Sequence, residues 1–254
     1  MRNRALVTGA TCGIGYAFAT WLARCDNDLV LVARDADRLE ARAAELRERH
    51  GVRVEVLPAD LSDPARLARV VRRVEDPEHP VDLLVNNAGS GLGSRTVDAS
   101  PQEQRRQLDV MVGAVLALSR AAVGSMTVRG HGGVINVASA AAFLPTGAYA
   151  AAKAWVLSYT VSLAGELHAT GVFATVLCPG LVRTEFHRRA GLDCGDVPSW
   201  AWLAPDDVVD GCMKDVRRGR TVSIPSRRYR TAVGVARHLP LRLQNRIVRR
   251  AVAS

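Results

Sequence analysis

The chain has 254 residues, enough for one large α/β domain with a sizeable core, and 48% of it is hydrophobic, without low-complexity tracts or internal repeats. Its formal charge of +9 raises nucleic-acid binding, but eleven arginines and no acid lie within residues 216–254, so the rest is close to neutral. No aromatic platform accompanies those arginines, which counts against a nucleic-acid partner.

Five cysteines without any C-x-x-C spacing, and six dispersed histidines, give neither a disulfide framework nor a metal site. Residues 1–6 carry two arginines but no apolar stretch of signal-peptide length, and no apolar run is expected to span a membrane. The expected compartment is the cytoplasm.

In chain order, a strand at 5–8 runs into Thr8-Gly9-Ala10-Thr11-Cys12-Gly13-Ile14-Gly15, a glycine-rich turn opening a helix at 13–25. Such glycines let the backbone approach a pyrophosphate, and the free N–H groups at the helix start hold its charge. Glycine-rich turns also arise for purely structural reasons; the strand before and the helix after favour the dinucleotide reading.

A second strand, 28–33, ends in Ala33-Arg34-Asp35, where a dinucleotide site treats the adenosine ribose. Arg34 can pair with a 2′-phosphate and favours NADP; Asp35, one position later, could instead bind a free 2′-hydroxyl. Read plainly, Arg34 is a solvated arginine at a helix start.

The pattern continues with a helix at 35–50, a strand at 53–57, a helix at 64–74, a strand at 82–86, a long helix at 101–128 and a strand at 133–138. It closes with a helix at 148–170, a strand at 173–178, a helix at 205–217 and a strand at 221–224. Alternation of this kind predicts a Rossmann-type doubly wound, seven-stranded mostly parallel sheet with helices on both faces, whose ligand crevice lies beyond the strands' carboxyl ends. Residues 1–225 form the expected single domain, and 226–254 a basic amphipathic tail.

On the helix at 148–170, Tyr149 and Lys153 are four residues apart and share one face. A nearby ammonium favours the phenolate and lowers a tyrosine pKa, so the pair can move a proton. Taken alone, the same spacing describes a core aromatic beside a solvated lysine.

The glycine turn, then Asn86-Asn87-Ala88-Gly89, Ser139, Tyr149 with Lys153, and Pro179-Gly180, resemble in order and spacing the short-chain dehydrogenase/reductase family, in its single-domain form. The resemblance implies that Gly9, Thr11, Cys12, Gly13, Ile14 and Gly15 form the phosphate turn. Asp60 and Leu61 would meet the adenine, Asn87, Ala88 and Gly89 would pass under a cofactor ribose, and Val182 and Thr184 would hold the carboxamide and phosphates. By the same resemblance, Ser139 hydrogen-bonds the substrate oxygen, Tyr149 transfers the proton, and Lys153 binds the nicotinamide ribose and, with the positive charge of the oxidised ring, holds down the Tyr149 pKa. The implied activity is NADP-dependent hydride transfer between nicotinamide and a ketone or secondary alcohol. A protein that binds NADP as a sensor or scaffold, with little turnover, is the alternative.

Two departures from the family stand out. Met111 occupies the place of an asparagine whose carbonyl helps hold a relay water, and the stretch from Ser139 to Tyr149 is shorter than usual, with 143–147 expected to absorb the difference.

The segment 185–204, expected as a substrate lid, contains Phe186, Leu192, Val197, Trp200, Trp202 and Leu203. These either favour a lipophilic substrate or pack the lid on the body. In the tail, Leu241, Leu243, Ile247, Val248, Ala251 and Val252 face one side of a helical wheel, and Arg242, Arg246, Arg249 and Arg250 the other. Such a helix lies on an anionic membrane or packs on its own domain. The apolar faces of the helix at 148–170 imply a homodimer or homotetramer.

Overall fold

Runs of Val, Leu and Ile become strands here because both their faces are covered, as parallel strands between two helical layers require. The computed structural model describes residues 2–91, 98–191, 195, 197–238, 240 and 242–243. Its strands are β1 (Arg4–Thr8), β2 (Asp28–Ala33), β3 (Val54–Pro58), β4 (Leu83–Asn86), β5 (Gly132–Val137), β6 (Val172–Leu177) and β7 (Val222–Ser223). They stand in the order β3-β2-β1-β4-β5-β6-β7, and every neighbouring pair is parallel, so the sheet is wholly rather than mostly parallel. The order reverses between β1 and β4, which opens the crevice beyond their carboxyl ends.

Helices α1 (Gly13–Arg24), α2 (Ala36–His50) and α8 (Pro205–Arg217) cover one face, burying Phe18, Leu22, Leu39 and Val209 against Val7 and Leu31. On the other face lie α3 (Pro64–Val74), α4 (Pro101–Leu108), α5 (Ala114–Arg129) and α6 (Ala148–Glu166), where Leu118, Met126, Val70 and Leu163 meet Leu6, Leu84 and Val134. Behind the site the buried polar groups are paired: Asn86 Nδ2 donates to Asn136 Oδ1 at 2.9 Å, and Asn136 Nδ2 donates to Thr160 Oγ1 at 3.0 Å. Those bonds let amides sit in an otherwise apolar core.

The expected helix at 101–128 is broken by a π-helical turn, Asp109–Gly113, with Met111 wholly buried at its centre. A π-turn inserts an extra residue, and such turns recur at functional sites. By length and composition the helical run Pro101–Arg129 could cross a membrane, contrary to the expectation that no run would. In this structure it lies along the sheet with Leu118 and Met126 fully covered. Helix α6 ends at Glu166 rather than 170 because Ala169, at φ 67°, and Gly171, at φ 76°, turn the chain into β6.

The short helix α7 (Phe186–Arg189) follows β6, and α9 (Arg227–His238) follows β7. Sequence patterning began a basic amphipathic tail at 226; in the structure the phenol of Tyr229 on α9 hydrogen-bonds Leu181 and Ala201. Leu192 and, apart from Arg242 and Leu243, the amphipathic pattern at 241–252 lie outside the described residues.

Candidate active site

The glycine turn sits where β1 meets α1. Gly9 adopts φ 68°, and a Cβ there would stand 2.9 Å from Asn87 Nδ2. A Cβ on Gly15 would come within 2.3 Å of the Gly9 carbonyl oxygen, so the turn closes only with both glycines in place. Cys12 is the N-cap of α1 but makes no side-chain cap bond, and no acid lies in the first turn. Helices α2, α3 and α4 are capped instead by Asp35, Asp63 and Ser100. Among these four, only the α1 N-terminus leaves its N–H groups and positive dipole end uncapped by a side chain, which fits the diphosphate of a nicotinamide dinucleotide.

Thr11 is buried beside the turn and Ile14 packs on the core. Thr8 Oγ1, missed as a site residue from sequence, accepts the N–H groups of Asn87 and Ala88 at 3.0 Å each, while Asn87 Nδ2 donates to the Thr8 carbonyl oxygen at 3.0 Å. These bonds fasten the Asn87–Ala88 backbone to the phosphate turn. The first residue of the glycine motif was the available signal for Thr8.

Arg34 is exposed at the end of β2 and forms no ion pair or hydrogen bond among the described residues. The Asp35 carboxylate accepts the Arg38 N–H at 3.0 Å as the cap of α2. Asp60 is also engaged by the chain: Oδ1 accepts from Ser62 N and Oγ, and Oδ2 accepts from Arg106. Burial opposes its ionisation, yet the Ser62 and Arg106 bonds outweigh that and bring its pKa down to about 2. Its neighbour Leu61 is buried.

Ser139, Tyr149 and Lys153 come together from β5 and α6. Ser139 follows β5 in extended conformation, its Oγ accepting the Ala141 N–H at 3.1 Å and lying near enough to Tyr149 to oppose the rise of its pKa. Gly147, at φ 94°, starts α6 and allows Tyr149 to reach Ser139 across the short connection. Lys153 is buried, donating to the Val137 carbonyl oxygen at 2.8 Å, and its Nζ would lie 3.6 Å from a Cβ on Gly89. Lys153 thus borders the Asn87–Gly89 segment at the crevice.

In the chain without its cofactor, burial governs the titration of the pair. Burial pushes Tyr149 up to about 12, with only partial relief from the Ser139 hydrogen bond. Burial also brings Lys153 down to about 8, and its Nζ lies 5.9 Å from the Tyr149 ring centroid. Desolvation disfavours both charged forms and is the first cause of both shifts.

After β6, Val182 is buried and bridges Leu203, while Thr184 lies over Gly13, its Cγ2 2.8 Å from where a Cβ on that glycine would stand. Phe186 packs on Tyr149 at 5.6 Å between ring centroids, and His187 makes edge contacts with Phe186 and Trp202. Glu185 accepts from both terminal nitrogens of Arg38 and also pairs with Arg189. Cys12 and Gly13 on one side, and Thr184 and Glu185 on the other, border an open groove of about 800 Å³.

A parallel sheet with its crevice at the glycine turn, and a Ser, Tyr and Lys gathered beside it, define a nicotinamide-dependent oxidoreductase of the short-chain type. Residues 3–194 match the short chain dehydrogenase family, and the chain belongs to the short-chain dehydrogenase/reductase family. It is an NAD(P)-dependent oxidoreductase acting on alcohol and carbonyl groups. It is 37% identical over 216 residues to a 1-deoxy-11-beta-hydroxypentalenate dehydrogenase of Streptomyces exfoliatus, covering 79% of this chain and 78% of that one. Among solved structures it is similar to a short-chain dehydrogenase from Sphingobium yanoikuyae in complex with NADPH, with TM-score 0.85 and 34% identity, covering 92% of this chain and 93% of that one. It is also similar to the bulky-bulky ketone specific alcohol dehydrogenase from Comamonas testosteroni, with TM-score 0.81, 29% identity and 92% of each chain covered.

Proposed function

We propose that the chain is an NADP(H)-dependent reductase of lipophilic ketones, or dehydrogenase of the corresponding secondary alcohols, working through Ser139, Tyr149 and Lys153. The observation that carries the cofactor preference is the division of labour after β2. Asp35, the acid that could serve a free 2′-hydroxyl, has Oδ1 engaged by the Arg38 N–H at the start of α2, while Arg34 is exposed and without a partner among the described residues. A free guanidinium there suits a 2′-phosphate. The NADPH complex of the Sphingobium relative supports the same preference.

When bound, the cofactor supplies or accepts the hydride. Tyr149, held as a phenol by burial, gives a proton to the carbonyl oxygen, and Ser139 Oγ hydrogen-bonds that oxygen. Lys153, anchored on the Val137 carbonyl, keeps its remaining N–H groups for the nicotinamide ribose. Gly9 to Gly15 would cradle the diphosphate; Asp60 and Leu61 would border the adenine; Asn87, Ala88 and Gly89 would pass under a ribose; Val182 and Thr184 would hold the carboxamide and phosphates.

The aromatic contacts running from Tyr149 through Phe186 and His187 to Trp202 favour an apolar substrate. Leu116 on α5 and Val161 on α6 are exposed, and such apolar faces favour a homodimer or homotetramer. The cytoplasm is the compartment this reading assigns, and membrane contact through the basic tail is tested by salt-sensitive binding to anionic vesicles.

Consumption of NADPH and NADH against a panel of ketones, keto-esters and fatty ketones tests the reading. NADPH is expected to be preferred, Arg34→Ala to raise KM for NADPH and leave that for NADH, and Tyr149→Phe to lose turnover by about 10²-fold or more. Equal rates in Tyr149→Phe overturn the proton-transfer role.

A further inference from the structure

Tyr229, on the helix after the last strand, touches neither the glycine turn nor the Ser-Tyr-Lys group, yet its hydroxyl joins the two chain segments that lead into and out of the region over the site. It accepts the Leu181 N–H at 3.1 Å and donates to the Ala201 carbonyl oxygen at 2.9 Å. Its ring lies flat on Gly180: a Cβ there would stand 2.1–2.3 Å from three ring carbons. The same two segments are paired directly, Leu203 N–H to Leu181 O at 2.8 Å and Arg183 N–H to Leu203 O at 2.9 Å. Next to Tyr229, Arg228 donates to the Trp200 carbonyl oxygen.

Three residues beyond Leu181 comes Thr184 against Gly13, and two further Phe186 against Tyr149. On the other side Pro179 accepts the Ala140 N–H at 2.8 Å, directly after Ser139. A displacement at residues 180–181 therefore reaches Thr184 at the phosphate turn and Phe186 beside the Tyr149 ring. We propose that Tyr229 is a positioning residue for the active site: its phenol clasps Leu181 to Ala201 and so holds Thr184 and Phe186 over the cofactor and substrate sites. The side chain acts through the segments it joins, and without contact with the reacting atoms. Gly180 is the matching requirement, since only a residue without a side chain admits the ring.

Tyr229→Phe keeps the ring on Gly180 and removes both hydrogen bonds. The enzyme is assayed for KM and kcat with NADPH and a ketone, an assay that rests on the reductase reading. NADPH affinity by fluorescence titration and hydrogen exchange at the Leu181 amide do not need turnover. The expected result is a rise of about three- to tenfold in Kd and KM, kcat within about twofold, and faster exchange at Leu181 with β6 unchanged. Gly180→Ala, which pushes the ring away without altering Tyr229, is expected to show the same split and serves if Tyr229→Phe folds poorly. A lowered melting temperature with unchanged NADPH affinity and unchanged Leu181 exchange overturns the proposal and leaves Tyr229 as packing. If the wild-type chain turns over no ketone, the substrate reading fails, while affinity and exchange still decide the clasp.

Discussion

The ring of Phe186 lies 5.6 Å from that of Tyr149, tilted by 48°, so a side chain from the helical turn after β6 rests on the phenol beside Ser139. Burial is the first cause of the Tyr149 pKa of about 12, and Phe186 is part of what buries it. Phe186→Ala is expected to lower that pKa, because water reaching the phenolate removes part of its desolvation cost. The rising limb of the alcohol-oxidation rate, where the phenol loses its proton to serve as base, then moves to lower pH. An unmoved limb would mean that the burial comes from elsewhere.

Lys153 carries the second pH signature. Burial sets it at about 8, so in the cofactor-free enzyme the ammonium is present below that pH and lost above it. Because kcat/KM reports the free enzyme, kcat/KM for NADPH is expected to fall as pH rises through about 8. A profile flat to pH 10 would place the ammonium's loss well above the value that burial implies.

Glu185 joins α2 to the segment after β6 through Arg38 and also holds Arg189. The Arg38 hydrogen bond, with burial opposing and Arg189 adding, brings its pKa down to about 2 from 4.5. A depressed carboxylate stabilises the fold above its unfolded pKa, and that contribution is lost as pH falls from about 4.5 towards 2. Both partners are partly exposed, so Glu185→Gln is expected to cost no more than about 1 kcal/mol at pH 7. Urea unfolding should show the gap between wild type and variant closing as the pH is lowered to 2.5; a gap that stays constant would assign it to packing.

Met111 is fully buried within the π-turn, near Gly89 and hence near Lys153. Met111→Asn puts an amide where the structure now has a thioether, and is expected to cost about 1–3 kcal/mol of stability if the amide finds no partner. If the family's asparagine supports proton delivery to Lys153, the same change raises kcat. Unchanged turnover and pH profile in a stably folded variant would make this position packing alone.

The order of strands and helices was legible because each signal is local: β-branched runs, helical spacing, and glycine between β1 and α1. The glycine turn was legible for the same reason, since Gly9 and Gly15 are demanded by φ 68° and by a 2.3 Å approach to backbone. Tyr149 and Lys153 are one helical turn apart, so their shared face followed from spacing. The π-turn was not legible, because its pattern is a single extra residue within an otherwise helical run.

Sequence by itself determined the alternating architecture, the glycine turn and the shared face of Tyr149 and Lys153, which rest on short-range geometry; Ser139 joined that pair only through the resemblance to the family. Only the tertiary structure decided which charges are free and which are buried. It placed Asp35 as the cap of α2, left Arg34 exposed, and set the Tyr149 pKa of the chain without cofactor by burial, because desolvation depends on what the rest of the chain lays over the phenol. It also brought Tyr229 to Leu181 across 48 residues, a contact for which a run of arginines carries no periodic signal.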